Sequence, residues 1–92
     1  RAREAETVLY YALNDYIILL NTYHNLLNST SGLESSLGLV RQSYQRGLTD
    51  KASLLEAELR VLRHHMDVTD AQAGLIFSYT DVLKALGSLA AL

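Results

Sequence analysis

A single turn signal, Tyr44-Gln45-Arg46-Gly47-Leu48-Thr49-Asp50, separates two long segments in which apolar residues return every seven positions. In the first arm Ala5, Ala12, Leu19, Leu26, Leu33 and Val40 form one column, beside a second of Leu9, Tyr16, Tyr23, Thr30, Leu37 and Tyr44. The second arm carries Leu54, Val61, Val68, Leu75, Val82 and Leu89, flanked by Leu55, Leu62, Thr69, Ile76, Leu83 and Ala90. A seven-residue repeat held this long calls for coiled-coil-like helices, and the paired columns make a stripe wide enough to meet more than one neighbour. No strand-period alternation competes with it. The expected fold is all-α: one long antiparallel helical hairpin, with a helix over about 3–45, a tip at 46–49 with Gly47 at its bend, and a helix over about 50–88. Each arm of about 40 residues would be ~60 Å long at 1.5 Å per residue, far beyond the usual helix of about 11–12 residues.

Two helices bury only the strip along which they touch, so a chain that is 49% hydrophobic leaves apolar columns uncovered. Association with copies of itself or with other helices is therefore expected. The net charge of −2, with basic and acidic residues interspersed, offers no basic stripe for nucleic acid and no polybasic membrane patch. The absence of cysteine removes disulfide scaffolds, thiol catalysis and cysteine zinc sites. No apolar run, the Tyr16 to Leu20 stretch included, approaches the roughly 18 residues of a transmembrane helix, and no signal peptide is legible. A chain opening at Arg1 rather than Met reads as a piece of a longer one.

One stretch leaves two readings open. Asn28-Ser29-Thr30-Ser31-Gly32 is unfriendly to helix, and Ser31 with Glu34 has the form of a capping box. A break there would give three helices, about 3–28, 32–45 and 50–88, and a free-standing three-helix interaction module. The columns pass through the segment without a change of phase, which favours a continuous helix overriding local propensity. At the tip, Gly47 can adopt positive φ as the C′ residue of the first helix, beside Arg46. Thr49 or Asp50 then caps the second helix, with Ser53 and Glu56 as a competing capping box one turn later. Gly87 and Ser88 weaken the far end.

Other candidate chemistry is sparse. His64 and Asp67 lie at i, i+3, but His65 points elsewhere and His24 is on the other arm, so no metal site is expected; His64 and His65 read as solvated, with Met66 on the packing face. Glu56, Arg60, Arg63 and Asp67 alternate in sign at helical spacing and read as an exposed ion-pair ladder. Tyr10, Tyr11, Tyr16, Tyr23 and Tyr79 suit broad helix interfaces where the hydroxyl stays wet. No phosphate-binding loop, activated nucleophile or acid/base pair is present, so neither catalysis nor a cofactor is expected.

Three runs carry a family likeness: Ser43-Tyr44-Gln45-Arg46-Gly47-Leu48-Thr49-Asp50, then Leu54-Leu55-Glu56-Ala57-Glu58, then Leu83-Lys84-Ala85-Leu86-Gly87-Ser88-Leu89. Their order and spacing resemble the C-terminal repeat of TolC-like outer membrane factors, the trimeric exit ducts of Gram-negative efflux pumps and type I secretion systems. The resemblance implies that the hairpin is a fragment of a trimeric, periplasmic α-helical barrel. It also implies a periplasmic adaptor (membrane fusion) protein as partner, docking on Arg46, Gly47, Leu48 and Thr49. Tyr44 falls on the family's tip tyrosine and Glu56 near its constriction carboxylate, where Glu replaces the usual Asp; the two carry the implied gating role. The family's β-barrel, its contact with the outer membrane, has no counterpart in this sequence.

Leu48 also has a reading that needs no family. An apolar side chain at the most exposed bend, next to a cation, suits a docking contact. The alternative is that it folds back to staple its own turn.

Overall fold

The computed structural model describes residues 2–91; Arg1 and Leu92, the two ends of the expected hairpin, lie outside the described residues. The chain is a two-helix hairpin, with α1 spanning Ala2–Gln45 and α2 spanning Lys51–Ala90. The absence of proline leaves every interior amide available to the i→i−4 ladder, and no breaker interrupts either helix.

Helix α1 passes unbroken through Asn28–Gly32, so there are two helices where a break would have made three. Two side-chain hydroxyls of this stretch turn back onto the helix. Ser29 Oγ donates to the carbonyl of Asn25 at 3.1 Å and Thr30 Oγ1 lies 3.3 Å from that of Leu26. Folded back onto the preceding turn, these groups are not free to nucleate a cap or turn of their own. Helix α2 likewise runs through Gly87 and Ser88.

The chain divides into two units, each built from both helices: a terminal unit of Arg1–His24 with Asp70–Leu92, and a tip unit of Asn25–Thr69. In the terminal unit the buried residues are Ser78, Val82 and Ala85, with Leu9, Ala12, Tyr16, Leu19 and Tyr23 of α1 half-buried. The Tyr16 and Tyr79 rings approach to 6.2 Å between centroids. In the tip unit Leu37 and His64 are buried, and Leu26, Thr30, Leu33 and Val40 are half-buried opposite Leu54, Ala57, Val61 and Val68.

The packing surface of α2 differs from the expected stripe. Leu54, Val61, Val68, Leu75, Val82 and Leu89 do turn inward, but the column beside them is Ala57, His64, Ala71, Ser78 and Ala85, not Leu55, Leu62, Thr69, Ile76, Leu83 and Ala90, which are all exposed. The reason is angular. A residue one position on lies 100° round the helix, whereas a residue three positions on lies within about 60° of the same line. Alternating steps of three and four keep one seam facing one partner helix. Counted from Tyr16–Tyr79 in the terminal unit and from Thr30–His64 in the tip unit, the antiparallel register sets large against small: Leu9 and Tyr16 stand level with Ala85 and Ser78, and Leu37 with Ala57. The order reverses at one layer, where small Thr30 on α1 meets His64 on α2.

Candidate docking tip

Four backbone hydrogen bonds and one side chain build the tip. Gly47 has φ of +73°, the left-handed conformation that glycine adopts without a Cβ clash. Its N–H donates to the carbonyl of Tyr44 at 3.0 Å, while the N–H of Leu48 donates to that of Ser43 at 2.8 Å. This pair of bonds is a Schellman closure, with Gly47 at C′ and Leu48 at C″. A further bond from the Arg46 N–H to the Gln42 carbonyl, 3.1 Å long, completes the last turn of α1. The helix ends because its orphan carbonyls are met locally.

Asp50 starts α2. Its carboxylate accepts from the Ser53 N–H at 2.8 Å, and its carbonyl accepts from the Leu54 N–H at 3.3 Å. Of the caps the sequence offered, Asp50 is therefore the one used, since its oxygen reaches the third helical N–H. The Ser53 N–H also holds the Asp50 carboxyl below its ordinary value of 3.8 by stabilising the charged form.

Leu48 has no place in this closure beyond its own backbone. The residue is 76% exposed. A Schellman turn usually gains an apolar contact between C″ and C3, but C3 here is Ser43, which offers no apolar surface. Leu48 instead lies on the rim of a shallow groove with Leu39, Val40, Ser43, Thr49 and Ser53, and Leu39 is itself exposed. Arg46 and Gly47 are exposed beside it and Thr49 is half-buried. The four residues of the expected docking surface thus share one bend. Tyr44 and Glu56 are both exposed, the first in the last turn of α1 and the second in the second turn of α2.

Polar residues that sequence reasoning placed in solvent turn out to tie the tip unit together. His64 is only 7% exposed, and its Nε2 lies 2.8 Å from Thr30 Oγ1. Which of the two donates follows from the imidazole tautomer, and Thr30 Oγ1 also lies 3.3 Å from the Leu26 carbonyl. Met66, expected on the packing face, is exposed. The acid–base contacts run across the helices: Arg41 Nε to Glu58 Oε1 at 3.9 Å and His65 Nε2 to Glu34 Oε1 at 3.6 Å. Among the described residues no such contact joins Glu56, Arg60, Arg63 and Asp67, so the expected ladder along α2 does not form. The signal that could have found His64 was available in the seven-residue phase it shares with Ala57, Ala71, Ser78 and Ala85.

A second apolar line runs along α2 outside the seam. Leu55, Leu59, Leu62 and Met66 are spaced four, three and four apart and all are exposed. Among the described residues, no group of three or more His, Cys, Asp and Glu side chains is arranged to hold a metal ion, and no helix is long and apolar enough to cross a membrane.

Fold and site together define a two-helix hairpin with an exposed apolar residue at its tip. No protein-family model, curated protein or solved structure matches the chain.

Proposed function

We propose that this chain is the tip-bearing hairpin of a TolC-like outer membrane efflux or type I secretion duct, standing in the periplasm and docking a periplasmic adaptor. The observation that carries the proposal is Leu48. The tip closes through backbone hydrogen bonds that do not need this side chain, and its isobutyl group is left exposed at the bend between Arg46 and Thr49. An apolar group with no role in its own fold, beside a cation, is the pattern of an interface anchor. The duct itself is read from the tip sequence and from the spacing of the runs that follow it.

The second apolar line, Leu55, Leu59, Leu62 and Met66, supports self-association, since its spacing repeats that of the seam already used against α1. In the proposed parent this is assembly as a trimer of subunits. Tyr44 and Glu56 take the gating role: both are exposed near the tip, where contacts between neighbouring hairpins would be exchanged for contacts with the adaptor, shifting the balance between closed and open entrances.

The test is a photo-crosslinking residue at position 48 of the parent protein in its native cells, with Leu48→Asp alongside. Capture of a periplasmic adaptor is expected, and Leu48→Asp is expected to abolish docking and export while leaving far-UV circular dichroism unchanged. Capture of a cytosolic protein alone, or full export by a folded Leu48→Asp variant, would overturn the reading.

A further inference from the structure

The two sides of the terminal unit differ in character. Residues one position before the inward Leu9 and Tyr16 of α1, and one before Val82 and Leu89 of α2, lie on one side of the seam. There Val8, Asp15, Asp81 and Ser88 line a common polar groove. Residues one position after Ala12 and Leu19, and one after Ser78 and Ala85, lie on the other side, because a single step turns 100° round a helix. These are Leu13, Leu20, Tyr79 and Leu86. Tyr10 and Ile17 stand three positions before Leu13 and Leu20, and Ile76 and Leu83 three before Tyr79 and Leu86, so they widen the same side. Leu20 is half-buried, the other seven are exposed, and none of the eight carries a charge.

We infer that this apolar side of the terminal unit is covered by the same side of a second copy of the chain, the two related by a two-fold axis. Its area suits that role. Large side chains that are mostly about half exposed present on the order of 700–800 Å2 per copy, and a standard interface buries ~800 Å2 per partner. Its chemistry suits it too. A two-fold pairing sets one patch against itself, so any charge on it would meet its like or have to be offset by an opposite charge elsewhere on the patch; this patch has none. Its polar side-chain atoms are the hydroxyls of Tyr10 and Tyr79, which end long rings and can stay wet at a rim. A lipid surface matches less well, because the unit carries five acidic residues against three basic ones, the reverse of the cation-rich helices that lie on membranes. The inference concerns the terminal unit and does not rest on the duct reading, which concerns the tip.

Sedimentation equilibrium of the full chain, joined to NMR on mixed copies, tests it. The chain is expected to sediment as a dimer whose mean mass falls on dilution. Ile17→Glu/Leu83→Glu, on the apolar side, is expected to weaken association by roughly tenfold or more, while Leu59→Glu/Leu62→Glu, on the exposed line of the tip unit, leaves it unchanged. Because the chain has no cysteine, Ile17→Cys carries a single nitroxide. Mixed with 15N-labelled copies that lack the nitroxide, it is expected to broaden amides on their apolar side, Leu13 and Tyr79 among them. That reading stands even where the double glutamate variant loses helicity. A chain that is monomeric at every concentration reached, or broadening confined to the tip unit, would overturn the inference. Association lost only in Leu59→Glu/Leu62→Glu would overturn it in favour of the tip-unit line on which the duct reading draws. A monomer that binds phosphatidylglycerol vesicles through the same residues would overturn it in favour of a lipid surface.

Discussion

The two units of the hairpin use the same seven-residue seam but specify it by different means. The terminal unit relies on shape: Leu9 and Tyr16 on α1 stand level with Ala85 and Ser78 on α2, and five of the six tyrosines lie in this unit. The tip unit relies on polar ties. Thr30 meets His64, Arg41 approaches Glu58, Glu34 approaches His65, and its five basic and five acidic residues balance. Complementary sizes give close packing but tolerate a slip of seven residues, whereas a buried hydrogen bond tolerates none without leaving a polar group unmet. The single polar layer of the tip unit therefore fixes the register near the turn, where the Schellman closure and the Asp50 cap set it from the other side.

The largest expected effects test the shape half of this contrast. Leu37→Ala, which empties a buried position level with an alanine, should lower stability by about 2 kcal/mol, at the low end for core leucines because a two-helix seam relaxes. Ala85→Leu, at a position only 4% exposed, should cost about 1–3 kcal/mol by overpacking. Thermal melts of both variants measure the difference, and a neutral Ala85→Leu would show that the small column is not required. Next comes the polar layer. Thr30→Val leaves His64 without its hydrogen-bond partner and should cost about 1–3 kcal/mol, while adding His64→Leu should restore much of that loss. A double-mutant cycle reads the coupling.

Smaller effects contrast two glycines. Gly47→Ala forces a Cβ into positive φ and should destabilise by about 1–2 kcal/mol, although nothing lies within 4 Å of that Cβ. Gly32→Ala has the same free space in a helix interior and should stabilise by about 0.5–1 kcal/mol. Chemical denaturation should therefore return opposite signs for the same substitution.

The smallest effect is the cap. Because the folded-state pKa of Asp50 is lowered, its stabilisation is fully present above the ordinary value near 3.8 and is lost as pH falls through the lowered one. Asp50→Ala should lower the melting temperature at neutral pH, and the gap from the parent should close on strong acidification.

The hairpin, its tip at Gly47 and the inward columns Ala5–Val40 and Leu54–Leu89 were legible because hydrophobic period and turn chemistry are local properties of the chain. The second α2 column was not. Counting apolar residues selects Leu55, Leu62, Ile76 and Leu83, since they are large, and passes over Ala57, Ala71, Ser78 and Ala85, which pack well only because α1 presents large side chains to them. His64 was misplaced for the same reason: its burial depends on a threonine thirty-four positions away. At the tip, the sequence could place Leu48 on the bend but could not choose between a stapled and an exposed side chain, because that depends on which residue the closure sets opposite it, here Ser43.

Sequence by itself thus determined that two long helices form, where the chain reverses, and that more apolar surface exists than two helices can cover. These follow from periodicity, from the absence of proline and from one glycine free to take positive φ. Only the tertiary structure decided which of two neighbouring columns on α2 meets α1 and which polar groups are drawn into the seam. It also decided which apolar groups, Leu48 among them, stay in water. A helix fixes the angles between its own side chains, but which of its faces is buried depends on the partner helix packed against it.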